Sequence, residues 1–226
     1  MLTVAEAAIR LAVGPEQVRR LARAGTLPAR RIGRTLVFDE DAVEARARLS
    51  VKAGRALTPR SAWAALWLLS GDAADWLNPA DRSRLRARLR TWDAEHLVAA
   101  VRRRADRYDL RVLPPYRDQV LGAEGVVTSG MSAVEAVGAD VVATAVVDEV
   151  YCTAHTLARL RQDLGLSDRG QVNLVVRVPR YGRLPLTACT HMPAAAVAVD
   201  LAESIDVRTR RAGLALLARM LTPPGP

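Results

Sequence analysis

Long apolar runs, paired cysteines and lysine are scarce in this chain of 226 residues, and each shortage excludes something. No apolar stretch approaches the roughly 20 residues that a helix needs to cross a bilayer, so no membrane span is expected. Cys152 and Cys189 are the only cysteines and stand far apart, which rules out a disulfide-stapled scaffold. No apolar leader opens the chain, because its first helical stretch is charged at once, so a signal peptide is not expected. Lys52 is the one lysine, and every other cation is arginine. A GC-rich coding sequence explains that bias more simply than selection for bidentate phosphate contacts. A soluble, cytoplasmic protein is the expectation.

Half of the residues are hydrophobic, enough for a packed core, and the length predicts two domains. The net charge is +9, which favours a polyanionic partner. The surplus is local. Residues 1–57 carry 11 basic and 6 acidic side chains, and residues 58–113 carry 11 and 7. Residues 114–226 carry 11 of each, so the C-terminal half has no electrostatic reason to meet nucleic acid.

The first forty residues hold the clearest local signals. Thr3 and Glu6 form a capping box, and Val4, Ala8 and Leu11 then recur at helical spacing. Ala12, Val13 and Gly14 read as a turn, with Pro15 at the first position of a second helix, where a missing N–H costs nothing. That helix ends near Gly25, a residue suited to positive φ. Val18, Leu21 and Ala22 share one face, while Glu16, Arg19, Arg20 and Arg23 occupy the others. Arg30 to Thr35 then reads as a basic hairpin turning at Gly33-Arg34, continued by Leu36, Val37 and Phe38. Helix, turn, basic helix and hairpin make a winged helix-turn-helix, whose physical use is to press a helix into the DNA major groove.

The same residues resemble the excisionase/MerR-type winged helix-turn-helix. The resemblance rests on Leu2-Thr3 with Glu6-Ala7-Ala8, on Val18-Arg19-Arg20-Leu21 with Gly25, on Leu27-Pro28 with Arg31, Gly33 and Arg34, and on Phe38 leading into a third helix. Gly14 departs from the pattern, since many relatives carry a serine there that caps the helix and reaches a phosphate. The residues expected at DNA are Thr3, Pro15, Glu16, Gln17, Arg19, Arg20, Arg23, Arg30, Arg31, Gly33, Arg34 and Thr35. Gln17, Arg19, Arg20 and Arg23 would read or anchor the major groove, and Arg31 and Arg34 would grip phosphate or the minor groove.

Asp39-Glu40-Asp41 is an acidic helix start that suits the helix dipole, and the helix it opens closes a domain at 1–50. Residues 51–57 read as a linker, and 58–226 as a second domain, helical over 58–108 and mixed α/β over 109–226. The fold class is therefore α+β, with a winged helix-turn-helix ahead of a helix-rich mixed domain. Thr58-Pro59 and Asn78-Pro79 each begin a helix. Trp63 and Trp67 are expected in the core, and Arg82, Arg84, Arg86, Arg88 and Arg90 on a solvated face, with a secondary phosphate surface as the alternative. A further helix is predicted over Glu95 to Tyr108, with Arg102, Arg103 and Arg104 near its end, where cations suit the dipole. Strands are predicted at 110–113, 126–128 and 173–178, and over 141–151 as one long strand or a hairpin bending near Asp148-Glu149. Helices follow at 156–164, from Pro193, and at 208–220.

From Leu57 to Leu221 the chain is similar to the C-terminal region of AbiEi-like antitoxins of type IV toxin–antitoxin systems. Pro59 to Trp63, Asp81 to Leu85, Val126-Val127 with Ser129-Gly130, Asn173 to Val178, and Val199 to Ser204 with Arg208 to Leu217 carry the likeness. It implies a repressor of its own operon that opposes a nucleotidyltransferase-like toxin. Gly130-Met131-Ser132 faintly resembles the loop of such an enzyme, but no paired Asp-x-Asp follows to clamp two metal ions, and no P-loop occurs. Cys152 with His155, and Cys189 with His191, supply zinc-type ligands, yet their spacings match no common finger. No catalytic, metal or cofactor site is expected. The partners expected are double-stranded operator DNA, a cognate toxin and a second copy of the chain. A ligand-sensing regulator and an excisionase-like architectural factor are the alternatives.

Overall fold

The computed structural model describes residues 1–11, 13–23, 27–33, 35–51, 56–138, 147–182, 184, 186 and 191–222, without the side chains at 45 and 48–51. The chain divides into two compact units, Met1–Gly54 and Arg55–Pro226. Gly25, Arg34, Cys189, residues 52–55 of the linker expected at 51–57, and most of the expected strand at 141–151 lie outside the described residues.

The first unit runs β1 (Leu2–Thr3), α1 (Val4–Leu11), α2 (Pro15–Arg23), β2 (Ala29–Ile32), β3 (Thr35–Phe38) and α3 (Glu40–Val51). The capping box forms: the Thr3 amide donates to Glu6 Oε2 at 2.7 Å and the Glu6 amide to Thr3 Oγ1 at 3.3 Å. The bond from the Thr3 amide holds the Glu6 carboxyl below its usual range. Asp39 caps α3 by accepting from the amides of Asp41 and Ala42. The hairpin β2–β3 acquires a third strand that the hydrophobic pattern did not announce, because Leu2 pairs with Phe38 and Thr3 with Val37. Phe38, the only phenylalanine, is fully buried among Leu2, Ala7, Ala8, Leu11, Val18, Leu27 and Val43.

The second unit begins with α4 (Pro59–Leu69), α5 (Pro79–Leu89) and α6 (Ala94–Ala100), capped by Thr58, Asn78 and Asp93. Then come β4 (Ala105–Leu110), α7 (Arg117–Leu121), β5 (Val126–Thr128), β6 (Asp148–Cys152), α8 (Ala154–Leu164), β7 (Leu174–Pro179), α9 (Ala194–Ala202) and α10 (Val207–Leu221). The four strands lie in the order β4-β7-β6-β5. The β6–β7 pair, joined across α8, is parallel, and both outer pairs are antiparallel. Gly165 ends α8 with φ 62°, the left-handed conformation a helix stop requires.

Three expectations need correction. The helix predicted over 95–108 stops at Ala100, and 105–110 is strand β4, which also replaces the strand predicted at 110–113. Pairing of β4 with β7, from Ala105 opposite Pro179 to Leu110 opposite Leu174, outweighs the helical spacing of Leu97, Val98 and Val101. Asp148 and Glu149 sit within β6 and not at a bend, because parallel pairing to Leu174 and Val175 holds them extended.

Strand alternation sorts the second unit's interior into two kinds. Val150, Cys152, Leu174, Val176 and Leu110 face one side and pack with Leu157, Leu160 and Val120. Glu149, Tyr151 and Arg177 fall at the alternate positions, where an ionic cluster replaces apolar packing.

Candidate nucleic-acid interface

The second helix of the first unit is built with two unlike faces. Val18 is fully buried, with Leu21 and Ala22 partly so, and this stripe seals α2 onto α1 and β3. Gly14 and Pro15 set its start: the amides of Gln17 and Val18 both donate to the Gly14 carbonyl. Glu16, Arg20 and Arg23 recur at positions i, i+4 and i+7 on the exposed side, so they form one stripe. Gln17 is half-buried, and Arg19 is exposed beside the stripe.

Electrostatics distinguish these arginines. Glu16 accepts from Arg19 at 3.2 Å and from Arg23 at 2.5 Å, so two of the cations are held by one exposed carboxylate. Among the described residues, Arg20 has no ion pair, nor do Arg30 and Arg31 on β2. All four residues of β2 are exposed, and Gly33, at φ 61°, supplies the left-handed turn between the strands. Thr3 and Thr35 are exposed as well; Arg34 lies outside the described residues. Unpaired, solvated guanidiniums on a helix and an adjoining hairpin suit phosphate oxygens and base edges.

Residues 1–48 match the family model of a helix-turn-helix domain. No curated protein and no solved structure matches the chain. The helix-turn-helix unit thus covers α1, α2, the hairpin and most of α3, and it carries a DNA-binding role. No helix among the described residues is long and apolar enough to cross a membrane.

The second unit holds its charge differently. Arg104, expected near a helix end where a cation suits the dipole, instead opens onto β4 and is buried. It donates to Asp200 at 2.5 Å, to both oxygens of Glu203 at 2.7 Å and to the Tyr151 hydroxyl at 3.1 Å. Its carbonyl accepts from Trp63 Nε1 at 2.9 Å. Arg177, also buried, reaches Asp200 at 2.9 Å, Glu149 at 2.9 Å and Glu203 at 3.1 Å. Ser129 Oγ and the Tyr151 hydroxyl donate to the two oxygens of Asp200. Burial opposes the charge on Arg104 and Arg177, but the surrounding acids hold both guanidiniums ionised. Burial likewise pushes the Glu149 carboxyl up, with Arg177 opposing it. The sequence signal for this cluster is a single Asp in the otherwise apolar run Ala194–Ala202 and a single Arg in Leu174–Pro179.

Of the four candidate zinc-type ligands, Cys152, His155 and His191 are among the described residues. Cys152 is buried, and burial pushes its thiol up to about 12. His155 is exposed, His191 is half-buried, and Cys189 lies outside the described residues. Among the described residues, no group of three or more His, Cys, Asp or Glu side chains is placed to hold a metal ion.

Proposed function

We propose that the chain is a sequence-specific transcriptional repressor in which α2 enters the major groove and the β2–β3 hairpin acts as a wing on the flanking backbone. The observation that carries this reading is the set of exposed arginines, Arg20, Arg30 and Arg31, which have no ion pair among the described residues, on the unit that matches the helix-turn-helix domain. One such unit spans few base pairs, so two copies bind paired half-sites. The reading assigns the chain no catalysis. Sequence likeness over Leu57 to Leu221 supports a finer role, that of an AbiEi-like antitoxin that represses its own operon and opposes a nucleotidyltransferase-like toxin.

Fluorescence anisotropy on DNA from upstream of the gene tests the first part. Arg20→Ala is expected to weaken specific binding by about 1–3 kcal/mol, the range of one good base contact. Glu16→Ala is expected to act oppositely on unrelated DNA, tightening it by freeing Arg19 and Arg23. Unchanged affinity and sequence preference in Arg20→Ala would remove α2 from the groove. The antitoxin role is tested by expressing the neighbouring reading frame with and without this protein under a foreign promoter. Growth arrest relieved equally by wild type and by Arg20→Ala is the expected result, and a harmless neighbour sinks it.

A further inference from the structure

Beside the sheet of the second unit lies a cavity of about 620 Å³, within the usual range for small-molecule sites. Arg117 and Leu121 line it from α7, Met131 to Ala136 from the single 3-10 turns after β5, Asp148 from the start of β6, and His191 from the approach to α9. Its most organised feature is the guanidinium of Arg117. Nε lies 2.5 Å from Asp148 Oδ2, and Nη2 lies 2.7 Å from Asp148 Oδ1. Asp148 is itself buried, with its amide bonded to the Asn173 carbonyl and its Oδ1 accepting from Ser132 Oγ at 3.3 Å. Ser132 Oγ in turn accepts from the Glu149 amide at 3.0 Å.

This bracing decides which edge of Arg117 is available. The Nε–Nη2 edge is occupied by Asp148, so the terminal edge carrying Nη1 is the one free of Asp148 on this half-exposed, cavity-lining side chain. Among the described residues, the other carboxylate paired with it, Asp118, is 4.0 Å from Nη1 and almost wholly exposed. A pre-oriented guanidinium edge recognises a planar oxyanion through two parallel N–H bonds. Leu121, Met131, Ala133 and Val134 supply an apolar wall beside it. The charges present select among oxyanions. Arg117 is balanced by Asp148, Glu135 adds an exposed negative charge, and among the described residues no second guanidinium or ammonium lines the space. A dianion such as a phosphate monoester would meet more repulsion from Asp148 and Glu135 than a monocarboxylate does.

The geometry points to an effector site in the second unit that takes a small monocarboxylate with an apolar body, its carboxylate on the terminal edge of Arg117. The site stands independently of the DNA-binding reading. All four tryptophans lie in this unit, so the intrinsic fluorescence of the full chain reports its melting alone. The probes are phenylacetate, phenyl phosphate and benzyl alcohol at constant ionic strength. Phenylacetate is expected to raise the melting temperature saturably, with phenyl phosphate weaker and benzyl alcohol without effect. Arg117→Lys keeps a cation for Asp148 but loses the flat two-donor edge, and it is expected to weaken the phenylacetate response at least tenfold while the protein still folds. Arg117→Gln is expected to abolish it. No response of the wild type to phenylacetate, or an undiminished response in Arg117→Lys, would overturn the site. Stronger binding of phenyl phosphate would overturn the monoanion assignment.

Discussion

Asp200→Asn is expected to destabilise the second unit by about 3–5 kcal/mol, the usual cost of removing one member of a buried ion cluster. The side chain of Asp200 is fully buried and bonds two guanidiniums, a tyrosine hydroxyl and a serine hydroxyl. Asparagine keeps the shape but removes the charge that Arg104 and Arg177 share. Glu203, partly exposed, already divides its oxygens between both guanidiniums, and burial favours the neutral form of Glu149, so the buried cations are left without full compensation. Against a typical total stability of about 5–15 kcal/mol, the loss is large. Urea unfolding of the full chain, followed by tryptophan fluorescence, reads the change in the correct unit. A loss under about 1 kcal/mol would mean that the cluster is solvated in solution.

The same cluster sets the acid response. Burial pushes the Glu203 carboxyl up, but Arg104 and Arg177 outweigh it and hold the group at about 2. A depressed folded-state value means that this contribution is complete above the ordinary value near 4.5 and is lost as pH falls towards 2. Glu149 has the opposite sign: its raised value favours the neutral form, so its contribution is present in acid and lost as pH rises through the raised value. Urea midpoints for Glu203→Gln are therefore expected to flatten below pH 4.5, and those for Glu149→Gln above it.

Gly213→Ala is the second large effect, and its sign runs against helix propensity. Alanine in the middle of a helix normally gains about 1 kcal/mol over glycine. At Gly213 in α10, an added Cβ would lie 2.4 Å from the Ala202 nitrogen, 2.7 Å from the Ala198 oxygen and 2.8 Å from the Leu201 carbonyl carbon. All three atoms are backbone of α9 or its last residue, so no side chain can swing aside. The helices must separate, and overpacking of this kind costs about 1–3 kcal/mol or more. A net loss of about 2 kcal/mol is expected, seen as a fall of roughly 5 °C in melting temperature. An unchanged or raised melting temperature would show that α9 and α10 adjust freely.

Much of the chain was legible because its signals are local. Thr3 with Glu6, Gly14-Pro15, Thr58-Pro59, Asn78-Pro79 and Gly165 each satisfy or terminate a helix within a few residues, and the boundaries of α1, α2, α4, α5 and α8 follow from them. The exposed stripe of Glu16, Arg20 and Arg23 follows from helical spacing alone. Legibility failed where partners are distant. The short strand β1 exists because Leu2 meets Phe38, and β4 because residues 105–110 meet 174–179.

By itself, the sequence determined the helix-turn-helix unit, the placement of most helices and the confinement of positive charge to the N-terminal half. Each of these depends on neighbours three or four residues away or on plain composition. Only the tertiary structure decided that Asp148 braces Arg117 and that Arg104 is buried with Asp200 and Glu203 rather than set at a helix end. These bring together groups 31 and nearly 100 positions apart in the chain. Whether a charge ends in water or in a cluster depends on what the fold places opposite it, and no spacing rule reaches that far.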